Sequence, residues 1–274
     1  MSEHDFEPAP GIGLPEDRRT RRLSGRIARR NLDADLGKLK RQKRFGLPLA
    51  IASVFFLSFI AAPVLWAALY RVMEAPGTVL MIARAAEGRQ IRHQNVKIEE
   101  MSPHIVRAAI AAEDSRFCQH NGFDLEAIRS AMKRNENGGR MYGGSTISQQ
   151  TAKNVFLWPA RSWVRKGLET YFTGLIEFMW PKRRIMEAYL NAAEWGHGVF
   201  GVEAAAQTYF GVSAKNLTAM QAARLAAVLP SPNAWSVTSP GPYVRRRAAS
   251  ILQRARVVNS SGYAACVLRP RGFE

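Results

Sequence analysis

Three acidic residues and a histidine cluster where an apolar stretch of the chain ends. The segment EDSRFCQHNGFD spans residues 113–124 and directly follows the apolar stretch AAIAA. Glu113 therefore has an apolar setting, which suits a carboxylate that accepts a proton during a reaction. The alternative is structural: a helix ends here, and Asp124 is the N-cap of the next helix. This segment alone leaves both interpretations open.

A second polar cluster follows a run of glycines. The segment GGSTISQQTAKN covers residues 143–154 and brings hydroxyls, amides and Lys153 together. Backbone amides and a lysine in such a loop suit an oxyanion or a phosphate. The segment is not a P-loop, because no Gly-Lys-Ser or Gly-Lys-Thr follows. A flexible loop leading into a polar helix start is the structural alternative.

Two further clusters combine basic residues with a glutamate at helical spacing. Arg165 and Glu169 stand four positions apart with Lys166 between them, a pattern that usually indicates a solvated salt bridge. The segment KRRIMEAYLN covers residues 182–191, and its apolar positions are typical of a helix that faces a core. Each of these two clusters, taken alone, is ordinary helix patterning.

Helices are the elements predicted to position these clusters, and the domain is predicted to be mainly α-helical. Apolar residues recur at three- and four-residue spacing in five ranges: 103–113, 124–134, 182–192, 202–209 and 218–229. Ser102 is the predicted N-cap of the first helix, Gly211 follows the fourth, and Pro230 ends the fifth. Residues 77–98 are the weakest helix candidate, with a short strand or an extended segment as the alternative, and the glycine-rich residues 135–148 are predicted to be a loop.

The net charge of the chain limits the classes of partner that it is expected to bind. Its 274 residues include 39 Lys and Arg against 22 Asp and Glu, a formal charge of +17. An anionic partner is therefore expected: nucleic acid, anionic lipid or pyrophosphate. A hydrophobic fraction of 47% excludes a wholly disordered protein. Two cysteines are too few for a disulfide scaffold, and the five histidines lack metal-site spacing, so no metal ligands are predicted.

An uncharged run of 26 residues, Phe45–Tyr70, separates two basic blocks. About 20 apolar residues cross the hydrocarbon core of a bilayer, so this run is predicted to be a transmembrane helix. Trp66 and Tyr70 lie near its far end, where aromatic residues favour the membrane interface, and Pro63 allows a kink. A buried core helix would not need so long an uncharged run, and a cleaved signal peptide has a shorter apolar region.

Three regions follow from this run. Residues 1–44 are predicted to be a disordered tail, acidic and then basic, residues 45–70 a transmembrane helix, and residues 71–274 one compact domain. Five basic residues directly precede the span and two occur in the 15 residues after it. The positive-inside rule therefore places the N-terminus in the cytoplasm and the domain outside, where nucleic acid is scarce. Cys118 and Cys266 could pair there, which the sequence leaves open.

Together and in this order, the four clusters resemble the glycosyltransferase domain of peptidoglycan synthases, which include the class A penicillin-binding proteins and single-domain relatives. The first cluster matches the family motif E-D-x-x-F-x-x-H-x-G-x-D, and the second matches G-x-S-T-I-[ST]-Q-Q followed by A-K-N. The third matches R-K-x-x-E, and the fourth K-x-x-[IL]-[LM]-E-x-Y-L-N. The resemblance covers about residues 97–245 and is greatest to the monofunctional transglycosylases, so a transpeptidase domain is not expected.

The resemblance implies a mainly helical, lysozyme-like domain with two lobes around a groove, preceded here by a single transmembrane helix. It implies a peptidoglycan glycosyltransferase that polymerises lipid II, a disaccharide-pentapeptide carried on undecaprenyl pyrophosphate. The C4 hydroxyl of one lipid II attacks C1 of the growing strand, the lipid pyrophosphate leaves, and a β-1,4 linkage forms with inversion. This displacement needs a base at the hydroxyl and cations at the leaving group.

The motif positions imply a role for each residue. Glu113 is the implied catalytic base. Glu169 is the second acidic residue of the implied catalytic set, and it orients the donor, helps a metal ion or positions cations. The implied pyrophosphate contacts are all basic: Lys153, Arg165, Lys166 and Lys182. The other implied substrate contacts are polar or aromatic: Asp114, Phe117, His120, Ser145, Thr146, Gln149, Gln150, Asn154 and Asn191. No cofactor is firmly implied, and a divalent cation, Mg²⁺ or Mn²⁺, at the pyrophosphate is left open.

The implied location is the inner membrane of a bacterial cell, with a cytoplasmic N-terminus and a periplasmic catalytic domain. The implied partners are lipid II, the growing strand, membrane lipid and other cell-wall synthesis or division proteins, but no nucleic acid. The apolar residues Met141-Tyr142, 155–159 and Trp163 are expected either to touch lipid or to lie in the core. Two alternatives are a lytic enzyme, which would not need the basic motifs, and a non-catalytic scaffold, which would not need both glutamates.

Overall fold

The chain divides into two units, Met1–Ala62 and Pro63–Glu274. The predicted tail, residues 1–44, and the residues Met141-Tyr142 lie outside the described part of the chain. The domain is mostly helical, as predicted. The computed structural model describes three stretches of the chain, namely residues 48–136, 144–160 and 162–269.

Helix α1, Pro48–Val72, has 25 residues and a mean hydropathy of 2.2 over its most apolar window. Its length and composition are enough to cross a membrane, and its large apolar side chains are mostly exposed. A π-helical turn, Leu57–Ala61, comes just before Pro63. Pro63 lacks a backbone N–H and cannot donate the usual α-helical hydrogen bond to the preceding turn. The π-helical turn lies at this place in the helix.

The five helices predicted from apolar spacing are all present. The structure places the helix over Pro103–Glu113 and the helix over Lys182–Ala192 at the predicted bounds. Ser102 caps the first of these, since its Oγ accepts the His104 N–H at 3.3 Å. The helices of the domain are α2 Val79–Ala86, α3 Pro103–Glu113, α4 Leu125–Glu136, α5 Ile147–Phe156, α6 Trp163–Met179, α7 Lys182–Ala192, α8 Val202–Phe210, α9 Ala219–Val228, α10 Pro242–Ser260 and α11 Ala265–Leu268.

The uncertain segment 77–98 contains both helix and strand. It forms helix α2 and then strand β1, Arg92–His93. Strand β3, Val199–Phe200, lies in the centre of a small sheet, parallel to β1 and antiparallel to β2, Glu194–Gly196. The sheet therefore holds the segment that follows α2 against the turn that follows α7.

The helices of the domain pack in two groups, α3 with α9 and α10, and α5 with α6 and α7. Helix α9 contributes the buried small residues Ala222, Ala223, Ala226 and Ala227 to the first group. Small side chains allow helix axes to approach closely, which suits a helix packed between two others. The clusters predicted to carry chemistry lie on α3, α5, α6 and α7, so they come from both groups.

The apolar residues around the second cluster divide between core and surface. Val155, Phe156 and Leu157 are buried, whereas Trp158 is 40% exposed and Trp163 is 91% exposed. The core alternative therefore holds for the first three, and the lipid alternative remains for the two tryptophans. Phe156, at the end of α5, stacks on the ring of Phe172 in α6, with 4.6 Å between the ring centroids.

The end of helix α1 packs on the same aromatic core. The ring of Trp66 lies 5.3 Å from that of Phe156, and the Trp180 indole N–H donates to the Ala67 carbonyl at 2.8 Å. The predicted interfacial residue Trp66 is thus a packing contact to the domain. This contact fixes the last turns of α1 against α5 and the end of α6.

Candidate active site

Glu113 is the last residue of α3 and lies where the two helix groups meet. Its Oε2 accepts a hydrogen bond from the Gln150 side chain of α5 at 3.0 Å. Its Oε1 lies 3.3 Å from the Arg247 guanidinium of α10. The carboxylate is 14% exposed, so it is oriented by two partners and still open to a small polar group.

Arg247 is a site residue that the motifs do not include. Its Nε donates to the Ala227 carbonyl at the end of α9 at 3.2 Å, which directs the guanidinium toward Glu113. The helix that carries it was not predicted, although Val244, Ala248 and Ile251 are buried at helical spacing. Apolar spacing around the arginines was the available signal for α10, but no local pattern pairs residue 247 with residue 113.

The start of α5 is built by the first and second clusters together. Asp114 accepts the Ile147 N–H at 3.0 Å, and the Thr146 hydroxyl donates to the Gly122 carbonyl at 2.6 Å. Gly122 has φ +90° and a Cβ there would lie 2.8 Å from Thr173, so only glycine fits. These bonds position Gln150, one turn into α5, against Glu113.

Thr146 and Gln149 form a capping box at this start. Each side chain bonds the backbone N–H of the other, with Thr146 N to Gln149 Oε1 at 3.0 Å and Gln149 N to Thr146 Oγ1 at 3.2 Å. Both residues are buried. Their geometry supports a positioning role, whereas the exposed Ser145 and the half-buried Asn154 are open to a substrate.

A cavity of about 450 Å³ is lined by Gln150, the hydrogen-bond partner of Glu113, and by several basic groups. Lys153 and Arg165 both line it, together with Gln150 and Asn154. Arg165 pairs with Glu169 at 2.9 Å, and Lys166 pairs with the other oxygen of that carboxylate. Two cations held by one buried carboxylate leave this end of the cavity positive, as an anionic leaving group requires.

Lys153 is the basic residue of this cavity that lacks a partner. Among the described residues, none makes a hydrogen bond or an ion pair with its ammonium. Burial, outweighing the opposite effect of Glu169, lowers the pKa of Lys153, and the nearby charges of Arg165 and Lys166 lower it further. A partly buried, unpaired lysine beside two other cations is suited to a polyanionic ligand.

Tyr189 is one of the residues that line this cavity. It is fully buried, and its hydroxyl has no hydrogen-bond partner within the described chain. Burial, with the negative charges of Glu113 and Asp114, raises the pKa of Tyr189 well above its ordinary value. The hydroxyl therefore stays protonated and keeps a hydrogen to donate.

Four predicted substrate contacts, namely Lys182, Phe117, His120 and Asp114, are not among the residues that line this cavity. Lys182 pairs with Glu177 at 2.7 Å, and its ammonium lies 4.5 Å from the centre of the Phe117 ring, which is fully buried. His120 bonds Asp114 at 3.0 Å beneath the same region. This arrangement does not support contact of Lys182 with the pyrophosphate, and it gives Phe117, His120 and Asp114 a positioning role.

The Asn191 side chain binds the backbone of the segment that follows β1. Its side-chain oxygen accepts the Val96 N–H at 3.2 Å, and its nitrogen donates to the Val96 carbonyl at 2.9 Å. Glu187 similarly accepts the Ile98 N–H at 2.7 Å. Both side chains of the fourth cluster therefore bind backbone of the segment after β1, so they do not face the cavity.

Arg184 binds the end of helix α1 from the same helix α7. Its guanidinium donates to the Tyr70 carbonyl at 2.8 Å and to the Glu74 carboxylate at 2.7 Å, and it pairs with Glu187. A cation suits the carbonyl end of a helix, where backbone acceptors lack partners. Arg184 is 8% exposed, so this junction between α1 and the domain is a buried polar one.

Comparison with known proteins agrees with the four clusters. Residues 80–256 match the family model described as Transglycosylase. The chain belongs to the transglycosylase family. A protein named biosynthetic peptidoglycan transglycosylase from Caulobacter vibrioides is 52% identical to this transglycosylase over 232 residues, covering 85% of this chain and 100% of the relative. Proteins of the same name from Rhodospirillum centenum and Pseudomonas aeruginosa are 54% and 49% identical over 73% and 76% of this chain, covering 87% and 93% of the relatives.

In this transglycosylase the candidate metal ligands are already engaged. Asp114, His120 and Asp124 bring possible ligand atoms within 4.8 Å of one another. Asp114 bonds His120 and the backbone of α5, while Asp124 caps α4 by accepting the Ala127 N–H at 2.9 Å. Both oxygens of Glu169 also face basic side chains. These residues do not fit a divalent-cation site.

A disulfide joins Cys118 to Cys266 in the transglycosylase domain. Cys118 lies within the first cluster, five residues after Glu113, and Cys266 lies in the short helix α11, which packs on α7. The pairing that the sequence left open is therefore made. It ties the turn after the candidate base to the far end of the chain.

Proposed function

We propose that this transglycosylase is a membrane-anchored glycosyltransferase that polymerises lipid II into β-1,4-linked glycan strands. The observation that carries the proposal is that Gln150, the hydrogen-bond partner of Glu113, lines a cavity together with Lys153, whose ammonium pairs with none of the described residues. A carboxylate that accepts a proton and a cationic site for pyrophosphate are the two groups that an inverting displacement needs.

In the proposed mechanism, Glu113 accepts the proton of the C4 hydroxyl of the acceptor lipid II. The hydroxyl oxygen attacks C1 of the growing strand, and the bond from C1 to the pyrophosphate oxygen breaks. Lys153 and Arg165 stabilise the charge that develops on the departing undecaprenyl pyrophosphate. Glu169 holds Arg165 and Lys166 in position for this contact. The strand grows by one disaccharide without a covalent enzyme intermediate.

The proposed location is the inner membrane of a bacterium, with α1 crossing it once and the catalytic domain on the periplasmic side. The basic residues before the apolar run support this orientation through the positive-inside rule. The disulfide between Cys118 and Cys266 supports it independently, because disulfides persist in oxidising compartments. The proposed domain bounds are a tail over 1–44, the span over 45–70 and the enzyme domain over 71–274.

Purified full-length protein supplied with purified lipid II tests the proposal. The wild type is expected to form long glycan strands, and Glu113→Gln to form none while keeping its thermal unfolding midpoint. Glu126→Gln is the matched control, since this glutamate is exposed on α4 and pairs with Arg116 rather than with the site. Strand formation by Glu113→Gln would refute the assigned base.

The same preparation separates the proposal from its alternatives. Finished peptidoglycan supplied in place of lipid II is expected to remain intact. Release of soluble fragments from it would favour a lytic enzyme, and inactivity of the wild type on both substrates would favour a scaffold. The cationic cavity argues against lysis, because hydrolysis of a glycan has no pyrophosphate leaving group to stabilise.

A further inference from the structure

The helices α3, α9 and α10 carry basic residues that the proposed mechanism does not use. Residues 204–273 contain nine Lys and Arg and no Asp or Glu. Apart from Arg247, which contacts Glu113, those that α9 and α10 contribute are Arg224, Arg245, Arg246, Arg254 and Arg256. A long segment without any acid indicates a surface that meets negative charge.

A cavity of about 440 Å³ opens between these three helices, apart from the groove beside Glu113. Its lining includes Arg107 of α3 and Arg256 of α10, but no acidic residue. The Nε of Arg107 is buried without a hydrogen-bond partner, and neither arginine forms an ion pair with any described carboxylate. Arg107 is half-buried and Arg256 is exposed, so together they present uncompensated positive charge that favours an anionic ligand.

The rest of the lining suits a ligand that is partly apolar. At the start of α9, the backbone N–H groups of Ala219 and Met220 favour an anion in the same way as the arginines do. Met220 and Leu252 supply an apolar wall. A carboxylate on a peptide with aliphatic side chains matches both surfaces, whereas a bare inorganic ion would leave the apolar wall uncovered.

The cavity lies within reach of the catalytic carboxylate. Arg107 precedes Glu113 by six residues on α3, which is about 9 Å along a helix. Helix α10 runs antiparallel beside it, since Arg247 contacts Glu113 and Arg256 lines the cavity with Arg107. A fully extended pentapeptide spans about 17 Å. A sugar held at Glu113 could therefore extend its attached peptide into this cavity.

We propose that the cavity between α3, α9 and α10 binds the carboxylates of the stem peptide attached to the substrate glycan. The proposal rests on the proposed function, because it takes lipid II as the source of that peptide. Arg107 and Arg256 make the charged contacts, and Met220 and Leu252 contact the peptide side chains. The site thereby selects substrates with free carboxylates and holds the disaccharide near the groove.

Steady-state polymerisation with two matched substrates tests the proposal. One is lipid II with free stem carboxylates, and the other is lipid II in which those carboxylates are amidated. The full-length wild type is expected to show a KM about tenfold lower for the free form, as loss of a charge-assisted contact implies. Arg107→Gln/Arg256→Gln is expected to have the same, higher KM for both substrates with unchanged kcat.

Controls keep the test decisive. Arg224→Gln removes a charge from the same acid-free segment without touching the cavity, and it is expected to discriminate as the wild type does. If the double variant has a lowered unfolding midpoint, Arg256→Gln alone, at an exposed residue, is used in its place. Equal KM values for the two substrates in the wild type, or undiminished discrimination in the variant, would overturn the proposal.

Vesicle binding distinguishes the stem peptide from lipid headgroups as the ligand of the cavity. Vesicles of phosphatidylglycerol are expected to bind the wild type and the Arg107→Gln/Arg256→Gln variant equally. Weaker binding of the variant would assign the cavity to lipid headgroups and overturn the peptide assignment. Failure of the wild type to polymerise either lipid II would instead contradict the proposed function, so the two failures are distinguishable.

Discussion

At the scale of single residues, the central feature is a carboxylate with a partner on each oxygen. Gln150 and Arg247 come from different helices and approach Glu113 from different sides. A base that is already oriented loses less freedom when the acceptor hydroxyl arrives. The partners therefore act on the rate of the reaction rather than on the affinity for the substrate.

Replacement of Arg247 tests this directly. Arg247→Gln is expected to lower kcat by about 10- to 100-fold with little change in KM, because misplacement of a reacting group has effects of that size. Arg247→Lys keeps a positive charge and is expected to recover part of the loss. A proportional rise in KM at constant kcat would show that Arg247 binds substrate and does not position Glu113.

The lowered pKa of Lys153 predicts a pH dependence. A lysine ordinarily loses its proton near pH 10.5, and burial moves this loss to lower pH in the free enzyme. Since the charged form binds pyrophosphate, kcat/KM is expected to fall on the alkaline side below that value. Lys153→Arg stays charged at every accessible pH and is expected to move the alkaline fall to higher pH. An unchanged alkaline limb in this variant would remove Lys153 from the leaving-group site.

At the scale of elements, the start of α5 joins the first two clusters into one unit. The Asp114 carboxylate, the Gly122 carbonyl and the capping box of Thr146 and Gln149 all fix this helix start. Several residues of the family motifs thus stabilise the element that carries Gln150. These motif residues therefore serve to position α5, and not only to contact the substrate.

Loss of the α5 cap is predicted to affect both stability and rate. Thr146→Ala removes the cap and the bond to Gly122, so it is expected to lower the free energy of unfolding by about 1–2 kcal/mol. It is also expected to lower kcat, because Gln150 moves with the helix. Thr218→Ala removes the equivalent cap of α9. Because Thr218 lines the cavity proposed for the stem peptide, this variant is the control for kcat alone, with a similar loss of stability and an unchanged kcat at saturating substrate. Denaturant unfolding and initial rates measure the two effects.

The elements were more predictable than their contacts. Apolar spacing and caps are local, so the sequence predicts α3 and α7 at their observed bounds. The pairing of Glu113 with Arg247 joins residues 134 positions apart, and the pairing of Val96 with Asn191 joins residues 95 apart. No local pattern encodes such contacts, because they arise only when the helices pack. The motifs therefore indicated which residues matter, but not that Asn191 bonds backbone or that Lys182 pairs with Glu177.

At the scale of the whole molecule, one covalent link closes most of the domain. The Cys118–Cys266 disulfide joins residues 148 positions apart. A crosslink over a long loop reduces the entropy of the unfolded chain and typically contributes about 2–5 kcal/mol. The link therefore stabilises the fold in which the two helix groups meet.

Removal of this disulfide is predicted to lower stability without removing the active site. Cys118→Ser/Cys266→Ser is expected to lower the free energy of unfolding by about 2–5 kcal/mol, while initial rates at low temperature stay within about twofold. Thermal unfolding with and without a reductant provides the measurement. A reductant should lower the midpoint of the wild type and leave that of the double variant unchanged. An equal midpoint for both proteins would contradict a stabilising role.

The junction at the end of α1 has a consequence for how substrate arrives. Arg184 and Trp180 bind backbone carbonyls near the end of this helix, at Tyr70 and Ala67. In the proposed location, the enzyme and its lipid-linked substrate lie in the same bilayer, held there by α1 and by the undecaprenyl chain. Encounter with lipid II is then diffusion in a plane rather than in a volume. The rate of strand growth should therefore follow the surface density of lipid II in the membrane, not its amount per volume of solution.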